Sequence, residues 1–321
     1  MKEMIIPFAT GLAIFLFGMQ LLRYGLEVLA GDRLQQALLR FTRTPARGFL
    51  TGMVSTAFLQ SSSAVTVITI GFVNAGILNF SQTIGIILGT NIGTTLTTEI
   101  LALKIEDFAV PLILLGALFY LLPRKKSKCI GLVIGGFGCI FLGMDAMQWI
   151  AFPLKRRGWI HWILESSTHP VLWGILAGTA VTGLVQSSGA VIAIAMGFYA
   201  SGIIPLPFAI AVVLGSNVGT CVTGLLASIG SNRAAKQVAL AHLTLNIAGV
   251  LVFGPLVPYL TQIALLLSDN PAAQVAHIQT LYNVICSVLV LPFSAPFARV
   301  ITWLLPDPVI AWSFRQRRNR R

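Results

Sequence analysis

The chain has 321 residues, 56% of them hydrophobic and 10% charged, whereas a soluble domain carries about a quarter charged residues. That balance, with a mean hydropathy of +0.85, excludes an ordinary soluble globule and predicts an all-α polytopic membrane protein. The formal charge of +12 calls for no nucleic-acid partner, because basic residues bordering apolar spans report membrane orientation.

The first apolar run, near 4–22, follows Lys2 and meets no small-residue cleavage site before the next polar stretch, so it is expected to be a retained span rather than a removed signal. Arg33, Arg40, Arg43 and Arg47 come next. Residues 47–59 and 64–75 are apolar segments under about 20 Å long as helices, too short to cross a hydrocarbon core of about 30 Å. Together they predict a re-entrant hairpin over about 47–75. Its polar turn, Gln60-Ser61-Ser62-Ser63, would lie near the midplane, where irregular backbone is tolerated only against protein or a wet cavity. The run near 81–103 is interrupted by Gly89-Thr90-Asn91-Ile92-Gly93-Thr94-Thr95, which predicts a discontinuous helix. Crossings near 108–122 and 129–150 then flank the basic turn Arg124, Lys125, Lys126 and Lys128.

The second half repeats the first. A shift of 126 residues lays Gln60-Ser61-Ser62 on Gln186-Ser187-Ser188 and, without a gap, Gly89–Thr94 on Gly215-Ser216-Asn217-Val218-Gly219-Thr220, a self-similarity that marks one unit used twice. Phe17-Gly18-Met19 matches Leu142-Gly143-Met144 after a one-residue shift, so each unit includes a leading helix. The second hairpin is predicted over about 172–201, followed by crossings near 205–229, 236–262 and 276–304. The domain reading is a first transport repeat over 1–128, a second over 129–262, and a C-terminal transmembrane helix with a basic cytoplasmic tail over 263–321. An odd number of crossings separates the hairpins, so the two repeats are expected to have inverted topology. On this count most basic residues share one face, with Lys2, Lys104 and Lys155-Arg156-Arg157 on the other. The richer face is read as cytoplasmic. The N-terminus is then outside, and the C-terminus and the mouth of the first hairpin are inside, in what is expected to be a bacterial plasma (inner) membrane.

Inverted repeats with broken helices meeting at the midplane are the construction of a secondary transporter. Where each hairpin reverses, the second half-helix begins with unpartnered amides and the positive end of its dipole, which favour an anion. The hydroxyls of Ser61, Ser62 and Ser63 can donate to a tetrahedral oxyanion, while the Gln60 carboxamide and carbonyls of an unwound GTNIGT segment can ligate a hard monovalent cation. Phosphate with sodium suits this set. No His, Cys or carboxylate cluster occurs at either motif, so no other metal and no cofactor is expected, and an enzyme would need a nucleophile and base that His161 and His169, in a loop predicted outside, do not provide. Cys129, Cys139, Cys221 and Cys286 show no CxxC spacing and read as packing residues. Arg23 and Asp145 lie toward the ends of equivalent helices, near enough to snorkel, and a structural or interfacial role is at least as expected for them as a functional one. His242 and Asn246, one turn apart, read first as interhelical bonds.

LQSSSAV and VQSSGAV, each followed by GTNIGTT or GSNVGTC, resemble the duplicated signature of the type II sodium/phosphate cotransporter family, in its bacterial branch. The resemblance spans nearly the whole chain. It implies a site for phosphate and sodium at Gln60, Ser61, Ser62, Ser63, Asn91, Thr94 and Thr95 of the first repeat and Gln186, Ser187, Ser188, Asn217 and Thr220 of the second. Asn246, Thr280 and Asn283, in AHLTLN and AHIQTLYN, form a second tier. Gly189 stands where the family commonly has a third serine, and Cys221 where the first repeat has Thr95, which bears on sodium stoichiometry. Many bacterial relatives append a soluble PhoU-like domain, whereas this sequence ends in Arg-Gln-Arg-Arg-Asn-Arg-Arg, read as a lipid-headgroup contact. The expected function is sodium-coupled phosphate transport by alternating access, one repeat moving against the rest or against a partner in a homo-oligomer. Its rivals are transport or export of another oxyanion or a carboxylate, and a non-transporting phosphate sensor.

Overall fold

The computed structural model describes residues 2–31, 33–42, 44–103, 108–148 and 169–306, and every regular element in them is helical. Helix α1 runs Lys2–Ala30, α2 Arg33–Arg40, α3 Pro45–Leu59, α4 Ser62–Asn74, α5 Phe80–Leu101, α6 Ala109–Leu121 and α7 Lys125–Gln148. The second half holds α8 Pro170–Val185, α9 Ser188–Ala200, α10 Leu206–Ala227, α11 Arg233–Phe253, α12 Val257–Leu267, α13 Pro271–Val290 and α14 Ser294–Leu304. Among the described residues, six stretches are long and apolar enough to cross a bilayer: Ile6–Ala30, Phe80–Leu101, Lys125–Met147, Leu206–Ala227, Arg233–Phe253 and Pro271–Leu304. The chain is an all-α polytopic membrane protein. Lys104, Lys155-Arg156-Arg157, His161 and the basic C-terminal run lie outside the described residues.

Both short-helix pairs form where the sequence predicts them. Gln60 ends α3 and Gln186 ends α8, each in the left-handed region with φ of 55° and 59°. Ser61 and Ser187 follow as extended N-caps of α4 and α9, their hydroxyls accepting from Ala64 N at 3.2 Å and Ala190 N at 3.4 Å. Such caps are worth about 1 kcal/mol each. The break is therefore encoded by the polar tetrad itself: one residue turned left, then one capping serine.

The discontinuous helices are not found. Both α5 and α10 run unbroken through GTNIGT and GSNVGT. The polar side chains satisfy themselves without unwinding the backbone: Thr90 donates to Ile87 O at 2.7 Å, Thr94 to Thr90 O at 2.9 Å and Thr95 to Ile92 O at 2.8 Å. The glycines serve contact. A methyl group at Gly89 would overlap the carbonyl of Phe49, and one at Gly93 would sit 2.6 Å from the Thr56 Cβ. In the second half Gly215 meets the Ile175 carbonyl, and Gly219 would meet the Thr182 Cβ at 2.7 Å. These are the same contacts moved by 126 residues. Backbone thus lies on backbone along α3–α5 and α8–α10, a close approach that small residues allow within a membrane.

The leading helices α1 and α7 pair antiparallel through glycines seven residues apart, with Gly11 beside Met147, Gly18 beside Ile140 and Gly25 beside Cys129. One further expectation is corrected. The span predicted at 236–262 ends at Phe253, because Pro255 lacks the amide a continuing helix needs, and α12 begins anew at Val257. The segment predicted at 108–122 forms there as a 13-residue helix, about 20 Å long, which packs along α7 where Gly116 meets Gly131 and Gly135 and Gly138 meets Ala109.

Two joints fix the ends of the bundle. Asn232, capping α11, donates from its backbone to Asn74 Oδ1 at 2.8 Å and from its side chain to Asn74 O at 3.0 Å, so the open end of the α3–α4 pair lies beside the start of α11. Asn270, capping α13, donates to Ala102 O at 3.0 Å, and it lines one cavity with Leu101, Gly197 and Ala200. The open end of the α8–α9 pair therefore lies at the far end of α5 from Phe80.

Candidate substrate-binding site

The two capped turns meet. One narrow cavity is lined by Met19 and Arg23 of α1, Gln60, Ser61, Ser62 and Ser63 of the first turn, Thr94 and Thr97 of α5, and Gln186, Ser187, Ser188 and Gly189 of the second turn. Segments more than a hundred residues apart in sequence thus share one space, with room for about one water.

Each turn is built the same way. Gln60 donates its amide to Ala57 O and accepts from the Thr97 hydroxyl; Gln186 donates to Gly183 O and accepts from the Thr223 hydroxyl. The carboxamides so bind the last turns of α3 and α8 to α5 and α10. The first amides of α4 and α9 have no intrahelical acceptor and carry the positive ends of the helix dipoles, while the last carbonyls of α3 and α8 carry the negative ends. One pair of turns therefore presents donors for an anion and acceptors for a cation.

Of the described residues lining this space, Arg23 is the charged one. Its Nη2 donates to Ser187 Oγ at 3.1 Å, and its buried Nε has no partner. The position near the end of α1 suggested snorkelling; instead the side chain reaches inward, two turns short of Ala30. Asp145 is exposed.

The other predicted residues lie elsewhere. Asn91 donates to Asn246 Oδ1 at 3.3 Å and its Oδ1 lies 3.3 Å from His242 Nε2, while Asn246 also reaches Cys221 Sγ at 3.2 Å. These buried groups tie α5 and α10 to α11, as the interhelical reading of His242 and Asn246 anticipates. Thr95, Asn217 and Thr220 bond to carbonyls of their own helices. Asn283 donates to Gln279 O at 3.0 Å. Thr280 joins a separate cluster, donating to Glu99 Oε1 at 2.6 Å beside His277, whose Nδ1 lies 3.0 Å from Glu99 Oε2. None of these seven lines the cavity between the turns.

Sequence reasoning passed over Thr97 and Thr223, did not assign Met19 to the site, noted Gly189 only as a lost serine, and gave Arg23 a structural or interfacial role at least as readily as a functional one. The threonines were legible, since Thr97 falls on Thr223 under the same 126-residue shift. Arg23 carried the general signal of an ionisable residue inside a membrane helix. Its reach toward Ser187 depends on how α1 packs, and no repeat motif records that.

The Na+/Pi-cotransporter family model matches residues 14–149 and 157–267. The uncharacterized protein YqeW of Bacillus subtilis (strain 168) is 40% identical over 302 residues, which are 94% of this chain and 98% of that one. YjbB of Escherichia coli (strain K12), named as a candidate inorganic phosphate export protein, is 29% identical over 93% of this chain, and the match spans 55% of YjbB. The sodium-dependent phosphate transport protein 2B of Rattus norvegicus is 28% identical over 162 residues, 48% of this chain and 21% of that protein. No solved structure matches. With the family model matched over most of its length, on both sides of the paired turns, the chain belongs to the Na+/Pi-cotransporter family.

Proposed function

We propose that this chain is a secondary active transporter that moves inorganic phosphate across a membrane coupled to sodium, and that both ions bind where the two Gln-Ser-Ser turns meet. The observation that carries this reading is the convergence of Ser61–Ser63 and Ser187–Ser188 on one cavity. Hydroxyls and helix N-termini from two sides suit a tetrahedral oxyanion. Because α5 and α10 do not unwind, the cation's oxygens come instead from the last carbonyls of α3 and α8 and from the Gln60 and Gln186 carboxamides. The cavity is narrow, so the turns part to admit phosphate and close on it.

Inverted topology is supported by the open ends of the two short-helix pairs, which lie at opposite ends of α5, and by the antiparallel pairing of the leading helices. Alternating access then opens the shared cavity first to one face and then to the other. Arg33, Arg47, Lys125, Arg233 and Lys236 all lie toward the Phe80 end of α5, and this end is assigned to the cytoplasm of a bacterial plasma membrane, with the N-terminus outside. The names of the relatives point both ways, to sodium-dependent transport and to export. Net direction follows the gradients and the coupling, since each ion changes the other's affinity by the same factor.

The test is radiolabelled phosphate uptake into proteoliposomes under an inward sodium gradient, compared with an equal potassium gradient. Sodium-stimulated accumulation is expected. Equal uptake under both gradients would remove sodium as the coupling ion, and no phosphate movement in folded protein would remove phosphate.

A further inference from the structure

We propose that Arg23 is the charge-bearing ligand of the transported anion and selects for a doubly charged oxyanion, an inference that rests on the turn cavity being the binding site. Three observations point there together. The guanidinium lies in the cavity with both turns and is the charged group among its described lining residues. Its Nη2 donates to Ser187 Oγ at 3.1 Å. Its Nε is buried without a partner.

The bond to Ser187 has a chemical effect. A serine hydroxyl offers one proton and two lone pairs. Ser187 Oγ already accepts from Ala190 N at 3.4 Å and from Arg23 at 3.1 Å, so both lone pairs are engaged and its proton is left to donate. Arg23 therefore contributes a permanent positive charge, spare N–H donors and an oriented serine donor. An acceptor-rich anion of high charge gains most from that set, and a guanidinium stays protonated at any working pH. The arrangement is one-sided: the matching turn holds Ser61, whose hydroxyl accepts from Ala64 N at 3.2 Å, while the charge among the described lining residues comes from α1.

The experiment titrates inorganic phosphate into the purified full chain in sodium buffer, by calorimetry, for the wild type, Arg23→Gln and Arg23→Lys. Thermal midpoints are recorded without anion, and sulfate and malate are titrated in parallel. Arg23→Gln is expected to lose about tenfold or more in phosphate affinity with an unchanged midpoint, and Arg23→Lys to recover part of it, as a point charge replacing a planar fork does. Wild-type affinity should strengthen between about pH 6 and about pH 8 as phosphate takes its second charge, and this slope should flatten in Arg23→Gln. Phosphate binding by Arg23→Gln within about twofold of wild type, with the same pH slope, overturns the proposal. If Arg23→Gln does not fold, Arg23→Lys decides: undetectable binding in a folded protein overturns it. Should the wild type bind sulfate or malate but not phosphate, and lose that binding in Arg23→Gln, the phosphate reading falls while Arg23 keeps its role. If the wild type binds none of the three, both fall.

Discussion

Gln60 and Gln186 occupy left-handed backbone at φ of 55° and 59°, where any residue but glycine pays about 1 kcal/mol. A glycine would suit the turn better, so the carboxamide accounts for the residue found there. It holds one helix end through Ala57 O or Gly183 O and one neighbouring helix through Thr97 or Thr223. Replacing Thr97 or Thr223 with Val keeps the shape but leaves a carboxamide oxygen short of its donor, a loss of about 1–3 kcal/mol when buried. Each variant is expected to weaken phosphate uptake by about tenfold or more, with a lower thermal midpoint; wild-type uptake by both would show that the threonine bond does not position the turn.

Among the helices, the glycine seams govern stability. A methyl at Gly89 or Gly215 would overlap a backbone carbonyl that cannot rotate away, so Gly89→Ala and Gly215→Ala should each cost about 3 kcal/mol or more. Gly71 on α4 has nothing within reach of an added methyl and should accept alanine without loss. Thermal unfolding in detergent would check the contrast, and equal midpoints for all three variants would mean that the seams are looser than described. The same glycines show where the sequence could mislead. Their repeat spacing made both hairpins and both long helices legible, with ends placed within a few residues. Glycine and threonine in an apolar run, however, satisfy two physical demands equally well, unwinding toward a ligand and close packing between helices. Only the neighbour decides, and α3 is that neighbour for Gly89 and Gly93. The turn residues of the site were legible for the opposite reason: four polar side chains between two helices too short to span leave few alternatives. The predicted Asn91 and Asn246 proved to be partners of each other, which a helical position alone does not distinguish from ligands.

For the whole molecule, the open ends of the two short-helix pairs should face opposite sides of the membrane. In a cysteine-free background, a cysteine at Ile77 and one at Ser201 should react with an impermeant maleimide from opposite faces of oriented vesicles. Labelling of both from one face would end the inverted-repeat reading. The seams between α3 and α5 and between α8 and α10 bear on how such a molecule can move. Where backbone rests on backbone there are few rotamers to exchange, so these pairs resist sliding and act as stiff struts. Compliance is left to the side-chain contacts of α4 and α9, which carry the serines toward Arg23, while α1 is itself held to α7 by a glycine seam. The softest part of the molecule would then be the proposed binding site, and the anion itself would serve as the fastener that is made and released in every cycle.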